Sequence, residues 1–377
     1  MPRHWAMSPL RRHLCHDAVV TRTIDYTALI APTTREQVRA FRAEAKASGL
    51  TWVAKAGPIV AVQVIVVVLF GTIFIFVGGS FLLFVTSALM ENASSPVALA
   101  FTGFLLLFIA VTVFAIVAAV RGSFGGARWE RWMRLSRFAA ANGMTFSPQD
   151  KNPNYPGLIF ARGESRVALD HLTSATGRFF DVGNYRWVTR SGDDTTTHNR
   201  GFLAFNLDRK LPHMILDATA NNGLFGVSNL GVPFSKDQVL SLEGDFDRHF
   251  TLYCPRQYER DALYIFTPDL MALLIDEAAP FDVEIVDDWM FVYSDKTFTP
   301  AEPAVYQRLF RILDTIGAKT LSQTERYADE RIGDRSINLI APQGQRLKRS
   351  TPVLAVFGVV VFIGFVAWTF VGSLFDF

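Results

Sequence analysis

Three stretches of this chain, 58–90, 97–120 and 352–372, contain no Asp, Glu, Lys or Arg. A helix needs about 20 apolar residues to cross a ~30 Å hydrocarbon layer, and buried core helices are usually shorter and rarely so free of charge. All three runs reach that length, so the sequence predicts three transmembrane α-helices. The first run is long enough to tilt, or to end near Gly78-Gly79-Ser80 and continue along the surface.

Lys and Arg in the flanks set the orientation. Arg35, Arg39, Arg42, Lys46 and Lys55 precede the first run, Arg121, Arg128, Arg131, Arg134 and Arg137 follow the second, and Arg346, Lys348 and Arg349 precede the third. The loop 91–96 and the tail 373–377 carry none. This bias predicts a multi-pass protein of the plasma (cell) membrane, with the N-terminus and main domain cytoplasmic and the C-terminus outside. No secretory signal peptide is visible at the start, and Met7 is an alternative first residue. The domain expectation is a basic segment with one helix at 1–57, a helical hairpin at 58–120, a cytoplasmic domain at 121–345, and a last span with a short tail at 346–377.

Composition supports this division. Half of the residues are hydrophobic and 19% are charged, below the roughly 25% of soluble domains. That excludes disorder and a disulfide scaffold. A net charge of +2 is too balanced for a nucleic-acid binder. Cys15 and Cys254 form no CxxC or metal-ligand spacing.

Outside the runs the pattern is α+β, mostly antiparallel strands with two or three helices. Thr33 and Glu36 resemble a capping box that opens a helix at 34–48. A second helix spans 127–142, stopped by Gly143 and carrying Trp129, Trp132 and four arginines. Val/Ile/Phe/Tyr runs predict strands at 158–162, 166–172, 178–190, 200–208, 213–217, 240–254, 281–287 and 289–294. The polar segment 191–199 reads as a long hairpin tip, and Asp287-Asp288 as the turn of a second hairpin. Thr267-Pro268-Asp269 starts one helix, and another runs over 302–321.

Chemistry-bearing motifs are sparse. GxxxxGK[ST], GxGxxG, GxSxG and HExxH do not occur, and no cofactor is predicted. In 240–254 polar and apolar residues alternate, so one continuous strand would put Glu243, Asp245, Asp247 and His249 on a single face. Three carboxylates and an imidazole form the candidate catalytic set, of a kind that can hold a divalent metal. A solvated strand face explains the same alternation. Asp170 and His171, being adjacent, point to opposite strand faces and form no dyad. Arg128, Arg131, Arg134 and Arg137 beside two tryptophans suit contact with anionic lipid, or simply anchor a helix.

The stretch 242–253 (LEGDFDRHFTLY), followed by 262–271 (ALYIFTPDLM), resembles uncharacterised bacterial membrane proteins. Val182-Gly183-Asn184-Tyr185 and Val286-Asp287-Asp288-Trp289 resemble their actinobacterial members. The resemblance covers roughly 125–330. It implies a multi-pass membrane protein with a cytoplasmic α+β domain of unknown function, that is, class and location but not chemistry. The leading functional expectation is a membrane-anchored binding or interaction module, with the bilayer and an unidentified protein as partners and no nucleic acid. The alternative is a membrane-bound, metal-dependent hydrolase using the 243–249 stretch.

Overall fold

The computed structural model describes residues 23–48, 126–222, 228, 230–334 and 336–350, with scattered positions between 69 and 113. Two compact units divide the chain: Thr27–Arg137, and Met1–Tyr26 with Phe138–Phe377.

In the first unit α1 (Thr27–Ile30) leads to α2 (Arg35–Ala47). The capping box is present one residue later than the sequence suggested. Thr34 Oγ1 accepts from Gln37 N–H at 3.3 Å, and Gln37 Oε1 accepts from Thr34 N–H at 3.2 Å. Thr33 is instead drawn to Glu130 Oε1 at 2.5 Å. Glu130 lies on α3 (Gly126–Ala141), within which the unit boundary falls. Arg134 Nη1 donates to Leu29 O at 2.5 Å and Nη2 to Glu130 Oε1 at 3.0 Å, tying α1 to α3.

The second unit is built on a seven-stranded antiparallel sheet. Its strands are β1 (Met144–Lys151), β2 (Glu164–Ser174), β3 (Phe180–Ser191), β4 (Asp194–Ala218), β5 (Val239–Leu240), β6 (Phe250–Tyr253) and β7 (Asp282–Tyr293). The order is β1-β2-β3-β4-β6-β5, with β7 also paired to β4. β4 is the spine: 25 residues long, it borders β3, β6 and β7.

Several strand expectations change. β1 was missed, because its Pro148, Gln149 and Asp150 dilute the apolar pattern. Segment 158–162 is turn rather than strand. The supposed tip 191–199 is mostly ladder, since Ser191 pairs with Asp194 around Gly192, whose φ of +59° a glycine adopts readily. Asp287-Asp288 does not reverse the chain. β4 slips register on either side of Leu211, which pairs with Asp287 at φ +54°, so both strands bend there and continue together.

The bend folds the sheet over its own inner face. Tyr293 OH donates to Glu284 Oε2 at 2.6 Å across nine residues of β7. A straight strand would separate those residues by about 30 Å. Within the fold, Phe160 packs on Tyr185 (4.5 Å between ring centroids), Phe202 (5.2 Å) and Phe291 (5.7 Å). Residues 346–350 run beside 233–238, with Lys348 N–H on Gln238 Oε1 at 2.8 Å and Ser350 N–H on Pro233 O at 2.9 Å.

After the one-turn α4 (Phe246–His249) come α5 (Glu259–Ile265), α6 (Pro268–Leu273) and α7 (Pro303–Ile312). Thr267 caps α6 with Pro268 in its first turn, as the sequence predicts. Phe310 of α7 meets Phe180 at 5.6 Å, so α7 buries its apolar side against β3. α8 (Ala318–Thr324) and α9 (Pro342–Gln345) follow.

The fold class is therefore a mostly antiparallel seven-stranded sheet with several helices, rather than an α+β domain joined to three transmembrane α-helices among the described residues. Among the described residues no helix is long and apolar enough to cross a membrane. The longest, α2 and α3, carry Arg35, Glu36, Arg39, Arg42, Glu44 and Lys46, and Arg128, Glu130, Arg131, Arg134 and Arg137, charges that hydrocarbon does not accommodate. This corrects the transmembrane assignment and, with it, the multi-pass plasma-membrane location with an external C-terminus. The runs 58–90, 97–120 and 352–372 lie outside the described residues, the scattered positions apart.

Candidate functional site

One end of α5 and the loop after α8 enclose a cleft of about 590 Å³ lined by Arg260, Asp261, Tyr264, Arg326, Tyr327, Ala328, Glu330 and Arg331. Helical spacing puts Arg260, Asp261 and Tyr264 along one side of α5. Behind the cleft is a buried polar network. Asp329 Oδ2 accepts from Tyr258 OH at 2.6 Å and from Ala341 N–H at 2.9 Å. Asp329 Oδ1 accepts from Arg331 N–H at 3.0 Å and Nη1 at 3.2 Å. Burial alone would raise the Asp329 pKa, but these donors outweigh it and hold the carboxyl below its ordinary value.

Arg331 is fixed on every side. Its Nη2 reaches Asp261 Oδ2 at 3.0 Å and also Gln257 O, and its guanidinium lies 3.9 Å over the Tyr258 ring. Tyr327 OH donates to Asp261 Oδ1 at 2.8 Å. Burial, with Asp261 close by, keeps the Tyr327 phenol protonated well above its ordinary pKa. The network requires a close approach at Gly344 of α9, where a Cβ would stand 2.4 Å from the Tyr258 ring. Arg260 and Arg326 are different: both are exposed and neither forms an ion pair among the described residues. The cleft thus offers two uncommitted guanidiniums beside a rigid wall. It contains no nucleophile paired with a base.

The sequence-derived acidic set is not assembled here or elsewhere. Gly244 at φ +77° ends the strand reading, and α4 turns successive residues through about 100°. Asp247 braces the turn by accepting from the Ser241 hydroxyl and from Leu242 N–H at 3.1 Å. Asp245 and His249 stand 4.0 Å apart in solvent, and Glu243 is exposed. Among the described residues no group of three or more His, Cys, Asp or Glu could hold a metal.

The arginines of α3 do not share one free face. Arg134 is committed to Leu29 and Glu130, Arg128 lies 5.9 Å over the Trp132 ring, and Arg137 is exposed. Cys254 is buried, and burial pushes its thiol up to about 12. In a Cys15→Ser background it should stay unreactive toward a disulfide reagent at neutral pH until denaturant unfolds the chain. Prompt reaction of the native protein would contradict that burial.

Two histidine networks escaped the sequence reading. His171 Nδ1 bonds Asp181 Oδ1 at 2.9 Å, its Nε2 bonds Asp150 Oδ2 at 2.8 Å, and Tyr155 OH donates to Asp181 Oδ2 at 2.6 Å. Gly183 permits this arrangement, because a Cβ there would lie 2.3 Å from His171 Cβ. His213 Nδ1 accepts from Leu347 N–H at 3.0 Å, so its Nε2 carries the proton shared with Glu284 Oε1 at 2.9 Å. The carboxylate partners come from neighbouring strands and Tyr155 and Leu347 from loops, so no local sequence window could have revealed them. The His213 network is closed inside the sheet, and that of His171 reaches solvent only through the half-exposed Asp150 carboxylate. No family model matches the chain, and no curated protein or solved structure is significantly similar to it, so its function rests on this geometry.

Proposed function

We propose that the sheet unit is a binding module whose small-molecule ligand carries a carboxylate or phosphate that docks between Arg260 and Arg326. The observation behind this reading is the pair of uncommitted guanidiniums on one cleft. Guanidinium groups bind planar or tetrahedral anions through paired, charge-assisted hydrogen bonds. The cleft volume suits a small molecule. The Tyr264 ring, which lines the cleft and is 44% exposed, supplies apolar surface for the rest of the ligand. The Asp329 network fixes the wall in advance, which lowers the ordering cost of binding.

Calorimetric titration of the full-length protein with inorganic phosphate and with citrate, at low salt, tests the proposal. Arg260→Gln and Arg326→Gln should each weaken binding of the preferred anion by about 10-fold or more. Added salt should weaken it as well. Unchanged affinity in both variants, or no binding of either anion, would reject the proposal.

A further inference from the structure

The charged row inside the bent sheet continues past Glu284 to a pair that the cleft does not use. Leu216 pairs with Val283, so the next residues, Asp217 of β4 and Asp282 of β7, stand opposite each other on one face. In such a pair the Cβ atoms are about 5 Å apart. Asp217 is 3% exposed and Asp282 0%. Asp282 Oδ1 accepts from Ala218 N–H and from Asn221 Nδ2, each at 3.0 Å. Among the described residues Asp282 Oδ2 and Asp217 Oδ1 have no hydrogen-bond partner, and the Oδ1 of Asn222, next along the chain from Asn221, is a third buried oxygen without a donor.

Buried carboxylate oxygens rarely stay unmatched, so two facing ones call for a specific reason. We infer that Asp217 and Asp282 bind a hard divalent cation of the calcium class between β4 and β7, with the Asn222 amide oxygen as a third protein ligand. An all-oxygen set without imidazole or thiolate selects such an ion over zinc. Calcium also accepts backbone carbonyls and water as its remaining ligands, so two carboxylates suffice. Burial penalises charge on both carboxyl groups, and a hydrogen bond with Ser228 opposes it in part at Asp217. Arg200 offsets part of this through space, acting on Asp282. A bound cation would let both groups ionise and would lock the turn at 219–222 onto β7.

Thermal unfolding of the full-length protein, stripped with a chelator, tests this with calcium chloride or magnesium chloride alone. At about pH 8 saturating calcium should raise the wild-type Tm by about 4 °C or more, and elemental analysis should find one ion per chain. Asp217→Asn and Asp282→Asn should abolish the rise. Both should fold, because the new amide keeps an acceptor and offers an N–H to the opposite carboxylate. Should either fail to fold, the wild type still decides the matter: protons compete for the same oxygens, so the rise must shrink at about pH 5.5. No rise with either ion would overturn the inference, as would a rise that persists in the variants or is equal at both pH values.

Discussion

Asp181→Ala should lower unfolding stability by about 3–5 kcal/mol, because it takes from a buried cation the one of its two carboxylate partners that is itself buried. His171 lies between Asp181 and Asp150, its side chain 6% exposed. Burial alone would push the His171 pKa down, but Asp181 and Asp150 raise it to about 10. The imidazolium therefore persists through neutral pH. Removing Asp181 also takes the acceptor from Tyr155 OH. Urea denaturation at pH 7 measures the loss, and a change under about 1 kcal/mol would show that the pair contributes nothing.

The same histidine sets a pH dependence whose sign is fixed. Its folded pKa is raised above the ordinary 6.5. The stabilisation is therefore fully present below about 6.5 and drains away as pH rises toward 10. Wild-type protein should lose stability across that window by an amount on the order of several kcal/mol. His171→Gln should show a flatter profile there. Equal slopes for the two proteins would contradict a charged His171.

Glu284→Ala should be comparably damaging, at about 3–5 kcal/mol, through three orphaned donors and a cavity. The carboxylate is 1% exposed and accepts from Leu158 N–H at 2.7 Å, Tyr293 OH at 2.6 Å and His213 Nε2–H at 2.9 Å. Glu284→Gln should cost less, about 1–3 kcal/mol. Its amide oxygen can keep Leu158 and Tyr293, but its NH₂ then faces the His213 proton. His213 cannot change tautomer, because Nδ1 already accepts from Leu347 N–H. The loss should therefore reach residues 346–350, seen as faster protease cleavage there under native conditions. Cleavage at the wild-type rate in Glu284→Ala would mean that the network does not hold that segment.

Local signals were legible where a few neighbouring residues decide the outcome. Thr267 with Pro268 places the start of α6, and Gly143, at φ +64°, ends α3 where the sequence placed a stop. The capping box was read one residue early because Thr33 and Thr34 stand side by side, each three residues before a Glu or Gln. Which threonine caps depends on Glu130, 97 residues away, which takes Thr33. Strand residues at 166–172 and 281–294 were recognised, but not the joining of 281–287 to 289–294. A bulge and a hairpin turn share the same polar pair, and the partner strand chooses between them.

The sites show the same division more sharply. Arg260 and Arg326 are 66 positions apart, and nothing local distinguishes them from other surface arginines. The acidic stretch 243–249 stood out because its polar residues alternate, yet one glycine with positive φ removes the shared face. Sequence by itself determined the local elements: β-rich segments, helix starts, and which side chains each strand could bury. Those depend on backbone preference and on periods of two or 3.6 residues, which are written into short windows. Tertiary structure alone decided the bend of β4 and β7, the setting of His171 between two carboxylates, the opposition of Asp217 to Asp282, and the pairing of two distant arginines on one cleft. These are consequences of register and burial, which belong to pairs of segments remote in the chain and so appear in no single one of them.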